Sequence, residues 1–170
     1  MNIEELYKSI APKLTNWLVA SGSDYNEACD IVQNTFLKIW SMRNDLRDDE
    51  SAVSGLAFTI ARNLRKNLVR DNERLMFVDE IREEDAGSVG PAELPTEVEA
   101  RSAELRRRIK DALATLPPIL REAYTLFQIG GMPIHEIANQ TGVSENLVKV
   151  RIFRAKEKLQ KILADLRVTF

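Results

Sequence analysis

Met132-Pro-Ile-His-Glu-Ile-Ala-Asn-Gln-Thr-Gly-Val-Ser-Glu-Asn-Leu-Val-Lys-Val-Arg-Ile-Phe-Arg-Ala155 is the stretch whose reading decides the fold. It reads as a helix-turn-helix with a basic second helix. Pro133 suits a first helical turn, where its missing N–H is not needed. Ile134, Ile137 and Ala138 give the short first helix one apolar face. Gly142 falls where the turn requires a left-handed backbone, which glycine adopts at least cost. Ser144 is a natural N-cap for the next helix. Leu147, Val148, Ile152, Ala155 and Leu159 continue as an apolar stripe, while Lys149, Arg151, Arg154, Lys156 and Lys158 crowd the remaining surface. A second helix of this kind enters the DNA major groove.

Working outward, the helical pattern extends over most of the chain. Ile3, Leu6, Tyr7, Ile10, Leu14, Trp17 and Leu18 recur at three- and four-residue spacing, which predicts a first helix. Ser21-Gly-Ser-Asp24 breaks it and caps the next. Ala28, Ile31, Val32, Thr35, Phe36, Ile39 and Trp40 predict a second amphipathic helix; Phe36 and Trp40 read as core, Asp30 and Gln33 as surface. Ser41 to Ser51 is polar and reads as a loop. Leu56, Ala57, Ile60, Ala61, Leu64 and Leu68 predict a third helix. Helical pattern resumes near Val98 and runs to Leu116, and Pro117-Pro118 open a further helix that Gly130-Gly131 stop. The basic helix after Ser144 is expected to run on as far as Leu166. The fold class is therefore all-α: two small helical domains, 1–77 and 98–170, joined by a flexible acidic linker over 78–97, with the helix-turn-helix in the second domain.

The charge pattern supports this division. The 170 residues carry a formal net charge of −2, yet the distribution is uneven. Arg62, Arg65, Lys66, Arg70 and Arg74 form one basic block and Lys149 to Lys161 another. Between them lie Asp79, Glu80, Glu83, Glu84, Asp85, Glu93, Glu97, Glu99 and Glu104. Local patches, rather than the whole-chain balance, are what phosphates meet. Cys29 is the sole cysteine, which excludes an intrachain disulfide and reads as a small buried hydrophobe. His135 is the sole histidine, so no His/Cys metal cluster is available, and no phosphate-cradling glycine loop appears. No catalytic residue, metal or cofactor is expected; the protein reads as a non-enzyme. No leader or membrane-spanning run is visible, which points to a soluble, cytoplasmic protein without membrane insertion.

Two further blocks refine the reading. Ala28-Cys-Asp-Ile-Val-Gln-Asn-Thr-Phe-Leu-Lys-Ile-Trp40 places Asp30, Gln33, Asn34 and Lys38 on the polar face of the second helix. Leu56-Ala-Phe-Thr-Ile-Ala-Arg-Asn-Leu-Arg-Lys-Asn-Leu-Val-Arg70 interleaves bases and amides with an aromatic, a composition that suits single-stranded DNA. In this order, and followed by Leu116-Pro-Pro, Arg121-Glu122 and residues 132–159, the blocks resemble bacterial sigma factors of the extracytoplasmic-function (ECF) type. The resemblance covers nearly the whole chain except the linker. One departure is plain: the family often opens its third helix with Trp-Leu, and this chain has Leu56-Ala57 there.

The resemblance implies a role for each block. Asp30, Gln33, Asn34 and Phe36 would dock on the clamp helices of the largest polymerase subunit. Arg62, Asn63, Lys66 and Arg70 would meet the −10 promoter element, and the loop from Arg43 to Ser51 would hold a flipped base. Lys149, Val150, Arg151, Phe153 and Arg154 would face the −35 element from the major groove. The acidic linker would thread near the RNA exit path. Implied partners are core RNA polymerase, promoter DNA and an anti-sigma factor. Two rivals are a DNA-binding regulator that works without polymerase and a sigma mimic that titrates an anti-sigma factor.

Overall fold

The structure, a computed structural model, describes residues 2–46, 49–76 and 97–166. The expected acidic linker falls almost entirely outside these residues. Among the described residues all regular structure is helical. Helix α1 spans Ile3–Ala20, α2 Tyr25–Ser41 and α3 Glu50–Met76. Helix α4 spans Glu97–Thr115, α5 Pro118–Gln128, α6 Ile134–Thr141 and α7 Glu145–Ile162.

Local sequence sets most of these boundaries. Asn2 caps α1 by accepting from the Glu4 N–H at 3.0 Å, and Asp24 caps α2 by accepting from Glu27 N–H at 2.8 Å. Asp49 holds the first turn of α3 by accepting from Ser51 N–H at 3.0 Å. Gly142 ends α6 in the left-handed region at φ 69°, and Ser144 caps α7 through Leu147 N–H at 3.2 Å. Ser41 and Ser51, read as loop, lie inside α2 and α3, and two further boundaries differ from the sequence reading. Pro133 stands one residue before α6 with extended backbone, and its carbonyl accepts from Glu136 and Ile137 N–H. Helix α7 stops at Ile162 rather than reaching Leu166, and a 3-10 turn follows over Ala164–Leu166. Leu163 is buried there, and Arg108 of α4 binds Asp165 at 2.7 Å, so tertiary anchors end the helix.

Helices α1, α2 and α3 pack together around Leu14, Leu18, Ile31, Ile39, Val53 and Phe58, all nearly inaccessible. Helices α5, α6 and α7 pack around Leu126, Ile137, Val148 and Leu159, with α4 lying along α7. The two groups meet. Phe58 of α3 is buried edge-on against Trp17 of α1, with ring centroids 5.6 Å apart. Its other side abuts the turn after α5 so closely that a Cβ on Gly130 would sit 2.9 Å from Phe58 Cε1. Gln140 of α6 donates through Nε2 to Gly55 O at 3.1 Å. The start of α3, where Leu56-Ala57 departs from the family pattern, is thus held by the Asp49 cap and by α6. Ala57 is fully buried, a site where a larger residue would need space.

Gly130→Ala is expected to cost about 1–3 kcal/mol, the range for forcing an extra group into packed structure. The new Cβ would clash with both the Phe58 ring and Leu126 O, the latter at 2.7 Å. Chemical denaturation checks this, and a wild-type midpoint would refute the close approach.

Candidate nucleic-acid interface

Helix α7 divides cleanly into two faces. Val148, Ile152, Ala155 and Leu159 are buried against α5 and α6, at the spacing of one helical stripe. The opposite side presents Lys149, Val150, Phe153 and Arg154, all exposed; Phe153 is 63% exposed. Arg151 is half-buried at the edge of this face. The sequence-derived −35 group is therefore brought together, with Leu147 extending its apolar part. A helix of 18 residues is about 27 Å long, and the major groove admits a helix of this diameter.

Helix α3 behaves differently. Asn63, Lys66 and Arg70 are exposed, but Arg62 is not free. Arg62 Nε binds Glu122 Oε1 of α5 at 2.5 Å, and its Nη1 donates to Gln140 O of α6 at 3.2 Å. The two side chains of the pair are only 16% and 28% exposed. One turn on, Arg65 donates through Nη2 to Ser21 O. Burial, and next the charge of nearby Arg121, pull its guanidinium pKa below the ordinary arginine value. The expected −10 face is thus partly covered by the helix-turn-helix domain.

Helix α2 splits its expected polymerase-binding residues between two grooves. Asp30 and Asn34 border one with Leu64 and Leu68 of α3. Gln33 and Phe36 line another with Ile3 and Tyr7 of α1 and with Leu37 and Trp40. Phe36 is buried, stacked edge-on by Tyr7 at 4.8 Å. Trp40, which periodicity assigns to the core, is 53% exposed, and Leu37 is 66% exposed. Ile39 occupies the buried position in that last turn, and Trp40 lies one step round the helix. The Arg43 guanidinium covers one Trp40 face at 4.6 Å. Sequence reasoning missed this apolar patch. Leu37 and Trp40 stand three apart beside the buried stripe, which is the signal that could have revealed a second apolar face. Cys29 is half-buried and unpaired.

Comparisons with known proteins agree with this geometry. Residues 6–75 match the model for "Sigma-70 region 2", and residues 106–159 match that for "Sigma-70, region 4". The ECF RNA polymerase sigma-E factor of Haemophilus influenzae is 32% identical over 147 residues, covering 83% of this chain and 77% of that protein. The RNA polymerase sigma factor CarQ of Myxococcus xanthus is 28% identical over 165 residues, covering 97% of this chain and 91% of its own. The fold is shared with the sigma factor RpoE solved with the anti-sigma factor NepR from Bartonella quintana. That match has a TM-score of 0.71 at 23% identity, over 95% of this chain and 96% of the other. The protein is therefore a sigma factor, a non-enzymatic initiation factor. It belongs to the ECF family of RNA polymerase sigma factors. No helix among the described residues is long and apolar enough to cross a membrane.

The Arg62–Glu122 pair is expected to couple the two domains by about 1.5–3 kcal/mol, the range for a charge-assisted hydrogen bond of limited exposure. A double-mutant cycle with Arg62→Gln and Glu122→Gln in denaturant measures it. Additive single-variant effects would mean that the pair contributes nothing.

Proposed function

We propose that this chain docks on core RNA polymerase through α2 and reads promoter DNA at two places, with an anti-sigma factor holding it in check in the cytoplasm. Residues 1–77 would carry the polymerase and −10 contacts, residues 98–170 the −35 contact, and 78–97 the acidic connection. The observation that carries this reading is the division of α7. One face is committed to packing on α5 and α6, while Lys149, Val150, Phe153 and Arg154 stand free on the other. Arginine and lysine there can address guanine edges or phosphates, and Val150 or Phe153 a thymine methyl.

On α2, Asp30, Gln33 and Asn34 would supply polar contacts, and Leu37 and Trp40 would supply buried area. Exposed apolar patches of this kind mark protein docking sites, and tryptophan is among the residues that dominate binding energy. On α3, Asn63, Lys66 and Arg70 would meet the −10 element directly. Arg62 would join them once it exchanges Glu122 for a phosphate or base, so promoter binding requires the two domains to part. Polymerase anchoring supports that exchange, because tethering turns each weak contact into an intramolecular one. The relatives solved with anti-sigma factors, RpoE with NepR and CnrH with the cytosolic domain of CnrY, support such a partner here.

Run-off transcription with core polymerase tests the whole reading. A defined start on a selected promoter is expected, and a chain that binds DNA without starting RNA would support the regulator or mimic instead. Arg154→Ala should weaken −35 binding by about 1–3 kcal/mol and relax specificity there. An equal loss on scrambled DNA would make it a phosphate contact. Leu37→Ala with Trp40→Ala should weaken core polymerase binding by at least about 2 kcal/mol. Asp30→Ala with Gln33→Ala should weaken it too, and unchanged binding in both double variants would sink the docking assignment.

A further inference from the structure

The cleft where the two domains meet has an unusual charge balance. It has a volume of about 310 Å³ and lies between α1, α3 and α5. Arg62, Arg65, Lys66 and Arg121 line it, with Glu122 the only acid among the lining residues. That carboxylate is already engaged by Arg62. Among the described residues, Arg65, Lys66 and Arg121 form no ion pair. Arg65 and Arg121 use Nη2 on backbone carbonyls, of Ser21 in one case and of Ala114 and Leu116 in the other. Both guanidinium groups close on Gly22, where a Cβ would lie 3.5 Å from Arg65 Nη2 and 3.9 Å from Arg121 Nη1.

Three donors of the lining side chains are enclosed rather than open to the cleft. Arg65 Nε, Arg121 Nε and Trp17 Nε1 are buried without acceptors. Trp17 itself is 2% exposed and lines the cleft. Helix α5 also begins here, with Pro118 and Ile119 on the cleft wall and no side-chain cap on its first turn. A helix start carries partial positive charge, although Pro117 and Pro118 have no N–H and the Leu120 and Arg121 N–H groups already donate to Pro117 O. Two arginines held side by side away from full hydration repel each other, and an anion between them offsets that repulsion.

We propose that this interdomain cleft is a binding site for a phosphate-type oxyanion, held between Arg65 and Arg121 with Lys66 at its rim, and that its occupancy favours the closed arrangement of the two domains. The groups come from different domains, Arg65 and Lys66 from α3 and Arg121 from α5. An anion bridging them is bound only when the domains are together, so by linkage it stabilises that state. Burial first and then Arg121 lower the Arg65 pKa, and they outweigh the opposing pull of Glu27 and Glu122. This inference goes beyond the promoter reading and does not depend on polymerase or DNA.

Fluorescence titration of the full chain tests it. Trp40→Phe leaves Trp17 as the sole tryptophan, a reporter on the cleft wall. Inorganic phosphate, added at ionic strength held constant with chloride, should change Trp17 emission saturably. Arg65→Gln and Arg121→Gln should each weaken binding at least tenfold, and Lys8→Gln on a distant surface should not. Circular dichroism confirms folding, and if Arg121→Gln does not fold, Arg65→Gln decides. A nucleoside triphosphate binding tenfold tighter than phosphate would assign the site to a nucleotide, and equal affinity to free phosphate. A response that is linear, matched by chloride or unchanged in Arg65→Gln would overturn the site. Small-angle scattering should show a radius of gyration that falls or stays compact with saturating phosphate, and an increase would overturn the effect on closure.

Discussion

Phe58 joins what would otherwise be two separate cores. Its ring meets Trp17 of α1 at 64° on one side and the glycine turn after α5 on the other. Aromatic pairs in edge-to-face geometry add to the gain from burial alone, and the glycine at 130 lets the second domain come within contact distance of the ring. Once that approach is made, α6 lies beside the first turns of α3, with Glu136 near Gly55 and Gln140 reaching Gly55 O. Arg62, one turn after Phe58, then finds Glu122 and the Gln140 carbonyl. The interdomain ion pair, the cationic cleft and the partly covered basic face of α3 all follow from this one contact.

The same contact sets a competition. In this arrangement one arginine of the basic α3 face, Arg62, is spent on a carboxylate of the other domain. Removing a partly buried charge from its partner has a cost that a phosphate partner can offset. The free faces of α2 and α7 are under no such constraint. They are built from side chains that point away from the packed stripe, so they remain open whether the domains are together or apart. The chain thus carries two open surfaces, on α2 and α7, and a third on α3 that is partly covered by the other domain.

Much of this was legible from local sequence. Helix starts at Asp24 and Ser144, and the left-handed stop at Gly142, depend on backbone groups within three or four residues of the capping residue. Four of the five residues read as the α7 stripe are buried as helical period predicts, while Leu147 lies exposed beside them. Trp40 was misread because period identifies apolar residues but not which of two adjacent apolar stripes finds a neighbour, and Ile39 took that place. The end of α7 was misread because Leu163 and the Arg108–Asp165 pair stop it, and neither is a local signal.

The sequence by itself determined an all-helical chain, the helix-turn-helix, and the identity of the basic face on α7, because each rests on spacing within one or two turns. It also carried the family, through three blocks in order. Only the tertiary structure decided that Arg62 faces Glu122 sixty positions away, that Arg65 and Arg121 crowd one cleft, and that Leu37 and Trp40 lie bare. Those outcomes depend on how two helical surfaces dock, and no rule of helical period links residues that far apart.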